Sequence, residues 1–245
     1  MNLECIGEGA TTKVYRDGNV AVKLYVNAPP DEAYNEADRQ RFAHAAGLPV
    51  PEVYSVRELE NGTALDMQYI AGKVLVQPKM DKDERRLAFE RLVTLQHMVH
   101  QVDASGQPCQ ADRLAWKMER APGMDMETKN RLLQRLSVLD KGKRQLCHGD
   151  FHTSNLLDDG KQIWILDWVD AACGDPFADV CRSYLIFKQY IPRMAGIYLK
   201  AYCKLVNAAP EDVLAWLPIA AAARLREKLD AKGDALVRAM VYEGL

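Results

Sequence analysis

Six cysteines are scattered through 245 residues, at Cys5, Cys109, Cys147, Cys173, Cys181 and Cys203, and no two form a C-x-x-C pair. That spacing fits reduced thiols better than a disulfide framework or a zinc site, and a cytoplasmic compartment is the expectation. No apolar run reaches the roughly 18 residues a membrane-spanning helix needs, and the opening MNLECIGEGA has neither a basic region nor a long apolar stretch. A protein that is neither secreted nor embedded in a membrane is therefore expected. Excess charge is missing too: the formal net charge is −2 and the pI about 6.2, so there is no electrostatic footprint for nucleic acid or an anionic membrane. Internal repeats and low-complexity segments are absent. What remains is a chain 48% apolar, long enough to bury a large core as one domain or as two unequal lobes. Acidic residues outnumber basic ones up to residue 70, and beyond it the balance tips mildly the other way.

The stretch LCHGDFHTSNLLDDGKQIWILD, Leu146 to Asp167, carries the chemistry. His148, Asp150 and Asn155 stand in the spacing H-x-D-x-x-x-x-N, and Asp167 follows the apolar run Ile163 to Leu166. Phosphoryl transfer needs a carboxylate to aim a hydroxyl at a γ-phosphate and oxygen ligands on separate backbone segments to hold metal. Asp150 suits the first task, Asn155 and Asp167 the second. Two plainer readings compete. His148 and His152 would form a zinc pair on one helical face, but Gly149 and Asp150 between them favour a loop. Asp and Asn are also common turn formers, which would account for the stretch if it stood alone.

It does not stand alone. An opening run to Ile6, then Lys13 to Arg16 and Val20 to Tyr25, read as strands, the last two joined by a hairpin turn at Asp17-Gly18-Asn19. The first connection, GEGATTK, holds Gly7 and Gly9 with Thr11 and Thr12, where glycines let backbone N–H groups approach phosphate oxygens. Thr12 stands where a full G-x-G-x-x-G pattern has its third glycine, while Val14 matches the pattern's valine. Lys23 lies inside the apolar strand AVKLY, where a lysine either reaches out to solvent or meets an anion. A helix is expected from Asp31 to about Ala46, stopped by Gly47 and Pro49, with Glu36 as partner for Lys23 and Glu32 as its rival. Val53–Leu59 and Thr63–Met67 form a second hairpin across Asn61-Gly62. The chain then runs out through Gln68, Tyr69 and Ile70, whose backbone is available to an adenine edge, and this is where one lobe is expected to give way to the next. A helix from Asp81 to about His100, a loop over 103–111 and helical stretches around Leu114–Arg120 and Met126–Leu139 lead to the central stretch. Beyond Phe177 the pattern is helical, with breaks at Pro192, Pro210 and Gly233.

These residues together resemble the aminoglycoside phosphotransferase and choline kinase family, which shares its fold with protein kinases. The resemblance rests on HGDFHTSN at 148–155, ILDW at 165–168, GDPFAD at 174–179, AVKLY at 21–25 and GLPVPEV at 47–53, and it covers nearly the whole chain. It implies an α+β, protein-kinase-like fold: residues 1–70 as a nucleotide-binding lobe with a small antiparallel sheet and one helix, and 71–245 as a larger, mostly helical lobe holding the catalytic loop, metal site and acceptor pocket. By resemblance Asp150 orients and deprotonates the acceptor hydroxyl, His152 touches the γ-phosphate, Asn155 and Asp167 hold Mg2+, and Lys23, kept in place by Glu36, grips the phosphates of ATP. Asp179 ties down the catalytic loop, and His148 braces it. Trp168 replaces the Phe of D-F-G, and no A-P-E segment follows, which points away from a protein substrate. The function implied is ATP- and Mg2+-dependent phosphorylation of a small-molecule hydroxyl on an aminoglycoside, a choline-like amino alcohol or a sugar-like metabolite. A nucleotide-binding pseudokinase would have lost one of Lys23, Asp150, Asn155 and Asp167, and none is lost. A helical scaffold would leave the strand-rich N-terminus unexplained.

Overall fold

The structure is a computed structural model and describes residues 4–9, 12–26, 28–29 and 31–243. The chain opens with β1 (Glu4–Glu8), β2 (Thr12–Asp17), β3 (Val20–Tyr25), α1 (Asp31–Ala45), β4 (Val53–Leu59), β5 (Gly62–Gln68) and β6 (Lys73–Val74). It continues through α2 (Lys82–Val99), α3 (Gln110–Glu119), α4 (Met126–Leu139), β7 (Gln145–Cys147), a 3-10 turn at Thr153–Asn155, β8 (Leu156–Asp158), β9 (Ile163–Ile165) and β10 (Ala172–Gly174). The last elements are α5 (Pro176–Tyr190), α6 (Pro192–Val206), α7 (Pro210–Leu214), α8 (Leu217–Arg224) and α9 (Ala231–Tyr242). Two compact units result, Met1–Asp81 with Thr153–Asp170, and Lys82–His152 with Ala171–Leu245.

In the first unit β1 to β5 form an antiparallel sheet in the order β1-β2-β3-β5-β4. The β4–β5 turn needs its glycine: Gly62 sits at φ +144°, and a Cβ there would lie 2.1 Å from the Tyr25 carbonyl oxygen. Strand alternation puts Ala21, Lys23 and Tyr25 of β3 on one face. Ala21 and Tyr25 pack there with Ala33 and Ala37 of α1 and with Leu65 and Met67 of β5. The buried stripe of α1 reads Ala33, Glu36, Ala37, Gln40, Ala43, a helical period whose small residues let the helix lie close to the sheet. Glu36 is thus carried into the interior on an alanine stripe, whereas Glu32 lies off it.

The rest of this unit is a small sheet in the order β6-β8-β9. Its β8–β9 hairpin turns on Asp159, whose carboxylate accepts from the Lys161 and Gln162 amides at 2.8 Å and from the Trp164 indole at 2.8 Å. β6 was not anticipated from the sequence: two residues cannot show a period.

In the second unit β7 pairs antiparallel with β10, and the remainder is helical. Pro192 and Pro210 open α6 and α7 as first-turn residues, where a missing N–H costs nothing. Gly233 breaks nothing, contrary to the sequence expectation. It lies in the first turn of α9, its amide capped by Asp230 at 2.6 Å, and the break falls between α8 and α9. α3 also begins inside the expected 103–111 loop, at Gln110. Among the described residues no helix is long and apolar enough to cross a membrane.

Candidate active site

The first unit gathers four of the expected residues through two backbone arrangements. On the sheet, Lys23 is 6% exposed, and its ammonium donates to both Glu36 oxygens at 2.8 Å and to Asp167 Oδ1 at 2.9 Å. Burial opposes a charged lysine, but the carboxylates of Glu36 and Asp167 outweigh it, and the net effect raises the Lys23 pKa. The Trp168 backbone amide also bonds the Glu36 carboxylate, so Glu36 fastens both Lys23 and the residue after Asp167. Arg39 of α1 donates to the Val169 carbonyl at 2.6 Å, a further tie between α1 and this segment.

The second arrangement is the β8–β9 hairpin. Its antiparallel pairing returns the chain so that the Leu166 amide donates to the Asn155 carbonyl at 2.9 Å, which brings Asn155 and Asp167 to neighbouring backbone positions. Ile165 N–H donates to the Pro49 carbonyl at 2.8 Å, anchoring β9 to the loop after α1. Asp167 itself adopts the left-handed conformation, φ 65°, which costs an ordinary L residue about 1–2 kcal/mol and Asp somewhat less. Its side chain is 42% exposed, so the carboxylate that meets Lys23 also reaches solvent. One carboxylate and one amide oxygen are too few to cage an ion alone. They fit magnesium, which keeps waters and takes phosphate oxygens as its other ligands. The described residues hold no cluster of three or more His, Cys, Asp or Glu arranged for a metal.

Trp168 is fully buried, with its indole N–H on the Ile165 carbonyl at 3.2 Å, so it is a core residue. At the glycine-rich turn the Gly9 amide donates to the Thr12 carbonyl at 2.8 Å, and Gly7 pairs with Val14. Thr12 opens β2, while Thr11 lies outside the described residues. At the end of β5 the Gln68 amide is bonded to Glu52 O and the Tyr69 amide to Asn19 O, at 2.8 and 3.0 Å. Ile70 contributes its carbonyl to the Gly72 amide at 3.1 Å.

The second unit holds Asp150 and His152. Gly149, at φ 82°, makes the bend that presents Asp150, and its amide donates to Asp179 Oδ1 at 2.6 Å. Asp179 is buried on α5 and also receives His100 Nε2 at 2.9 Å and Gln96 at 3.0 Å, while Tyr198 and Tyr202 bond Gln96 and His100 in turn. His148, fully buried, takes the Asp150 amide on Nδ1 at 3.2 Å. The loop that carries Asp150 is therefore fixed from beneath by polar groups that satisfy one another.

The Asp150 carboxylate, 26% exposed, sits between His152 Nε2 at 3.1 Å and Arg182 Nη2 at 3.0 Å. Burial would raise its pKa. The His152 hydrogen bond and the charges of Arg182 and the histidines overcome that and hold the carboxyl well below the usual range. Arg182 also donates to the Gly149 carbonyl at 3.3 Å. Sequence reasoning missed Arg182, although it stands three residues after Asp179 on α5 and so shares its helical face. Gln96 and His100 were missed as well; their signal was a polar i, i+4 pair where the apolar stripe of α2 ends.

Comparison with known proteins bears on both units. A family model described as the phosphotransferase enzyme family matches residues 3–217. The mouse (Mus musculus) protein acyl-CoA dehydrogenase family member 10 is 28% identical over 170 residues, 60% of this chain, and the match spans only 16% of that protein's length. Among solved structures, aminoglycoside phosphotransferase APH(4)-Ia in ternary complex with ADP and hygromycin B superposes with a TM-score of 0.71 at 19% identity, covering 99% of this chain and 94% of that one. Choline kinase LicA from Streptococcus pneumoniae gives 0.68 at 15% identity, covering 98% and 92%. These likenesses show a protein-kinase-like fold, as the sequence led one to expect.

Proposed function

Because the chain belongs to the phosphotransferase enzyme family, we propose that it moves the γ-phosphate of ATP, with magnesium, onto a hydroxyl of a small molecule. The observation that carries this reading is the junction of Glu36, Lys23 and Asp167, a buried ammonium held by two carboxylates at 2.8 and 2.9 Å beside Asn155. A lysine so placed is fixed in direction and charged at any working pH, as a phosphate grip requires. The ADP named with the related APH(4)-Ia structure supports the nucleotide.

Within this reading Lys23 contacts the α- and β-phosphates, and Glu36 keeps its ammonium from swinging away. Gly7 at the end of β1, Thr12 at the start of β2 and Gly9 between them lie over the phosphates, and the segment 68–70 runs past the adenine edge, with the Gln68 and Tyr69 amides kept by Glu52 and Asn19. Asn155 and Asp167 would hold the magnesium, which would supply positive charge against the negative charge that develops on the transferred phosphate. Asp150 accepts the hydrogen bond of the acceptor hydroxyl and aims its oxygen at phosphorus. Arg182 and His152 keep Asp150 ionised, so it is always ready as an acceptor but is a weak base. Its main work is orientation, with proton transfer late, as suits a loose phosphoryl-transfer transition state.

The test is transfer of label from γ-labelled ATP into pools of alcohols, amino alcohols, sugars and aminoglycosides, with and without magnesium. Magnesium-dependent labelling of at least one pool is expected. Failure to bind magnesium–ATP, together with no labelling, contradicts the reading.

A further inference from the structure

Resting on the role of Asp150 just described, we infer that the hydroxyl acceptor carries no positive charge. Asp150 heads a chain of alternating charges in the second unit. Arg182 stands 3.0 Å from Asp150 and 2.7 Å from Glu227, and Arg224 stands 2.6 Å from the other Glu227 oxygen. Arg224 is itself held by Gln189 at 2.8 Å and lies near the Tyr190 hydroxyl at 3.4 Å. Glu227 is 34% exposed and shares Arg182 with Asp150, yet two guanidiniums cancel its charge at contact distance. Little net attraction is left for an ammonium a few ångströms away. A cation approaching this end of Asp150 instead meets Arg182, and like charge brought into register in a partly dry site is strongly disfavoured.

Two further acids of this unit, Asp175 and Asp212, have partners of their own. Asp175 caps α5 and pairs with Lys143 at 3.1 Å, and the Asp212 carboxylate accepts the Ala209 amide at 3.2 Å. Asp230 caps α9, and Asp234 pairs with Arg238 at 2.6 Å. A polycation needs several acids with unspent charge, and Asp175 and Asp234 are each paired with a cation.

The experiment measures acceptor kcat/KM in charge-matched pairs: choline against its uncharged isostere 3,3-dimethylbutan-1-ol, glucosamine against glucose and against gluconate, with hygromycin B as a polycation. ATP consumption without acceptor is measured alongside. The uncharged or anionic member should win by about tenfold or more, which is about 1.4 kcal/mol. A better cationic member in the pairs, or hygromycin B as the best acceptor, overturns the inference. So does the absence of any acceptor while magnesium–ATP is bound and slowly hydrolysed. If magnesium–ATP is neither bound nor hydrolysed, the phosphotransfer reading fails and this inference falls with it. Two variants locate the cause. Arg224→Met releases the Glu227 charge and should narrow the preference against cations, and Glu227→Gln should widen it. If either folded variant, judged by unchanged nucleotide affinity, keeps the original preference, the charge chain is not its source.

Discussion

The Lys23 ammonium lies 2.8 Å from both oxygens of Glu36, in a place where neither side chain is open to water. Removing one partner of such a pair leaves a buried charge poorly compensated. Glu36→Gln should therefore cost about 3–5 kcal/mol of stability in denaturant unfolding. Glu32→Gln, off the buried stripe, should stay within about 0.5 kcal/mol.

Asp167 combines a left-handed backbone with a carboxylate shared between Lys23 and solvent. Asp167→Asn keeps a side chain that tolerates this conformation, whereas Asp167→Ala adds backbone strain of about 1 kcal/mol. Both should weaken magnesium-dependent nucleotide binding strongly and leave metal-free binding nearly unchanged, with only Ala lowering the melting temperature through strain. Equal losses with and without magnesium would mean that Asp167 is no ligand.

Trp168 has no exposed surface. Trp168→Leu should lower stability by about 2–4 kcal/mol through the cavity it leaves, with acceptor KM unchanged. Thermal unfolding and acceptor kinetics on one preparation check both halves.

Asp150 is held ionised in the folded protein, so its stabilising contribution is present above the unfolded carboxylate pKa of about 3.9 and is lost as pH falls below it toward the folded value. The direction follows from proton uptake: below about pH 4 the unfolded chain binds a proton here that the folded chain does not. Arg182→Met removes one of the charges holding the carboxyl down. The slope of unfolding free energy against pH between about 2 and 4 should flatten, by up to about 1.4 kcal/mol per pH unit. An unchanged slope would detach Arg182 from the Asp150 titration.

Much of this was legible in the residues. The Asp17-Gly18-Asn19 and Asn61-Gly62 turns and the alternation of AVKLY gave the five-stranded sheet, because hairpin turns and strand period are local signals. The alanine stripe of α1 carries the period that separates Glu36 from Glu32. Arg182, Glu227 and Arg224 were not legible. Arg224 and Glu227 stand three residues apart, but Arg182 reaches both Glu227 and Asp150 from a distant part of the sequence, and its place on the Asp179 face of α5 says nothing of those partners. The break expected at Gly233 falls instead between α8 and α9. Gly233 looks like a breaker until the Asp230 cap makes it a first-turn residue.

The account stands most directly on one comparison: label transfer from γ-labelled ATP to the best acceptor by the natural protein and by Asp150→Asn, at saturating magnesium–ATP. The variant should bind magnesium–ATP with unchanged affinity and lose turnover by about 10²–10⁴. Near-normal turnover in Asp150→Asn would contradict the account.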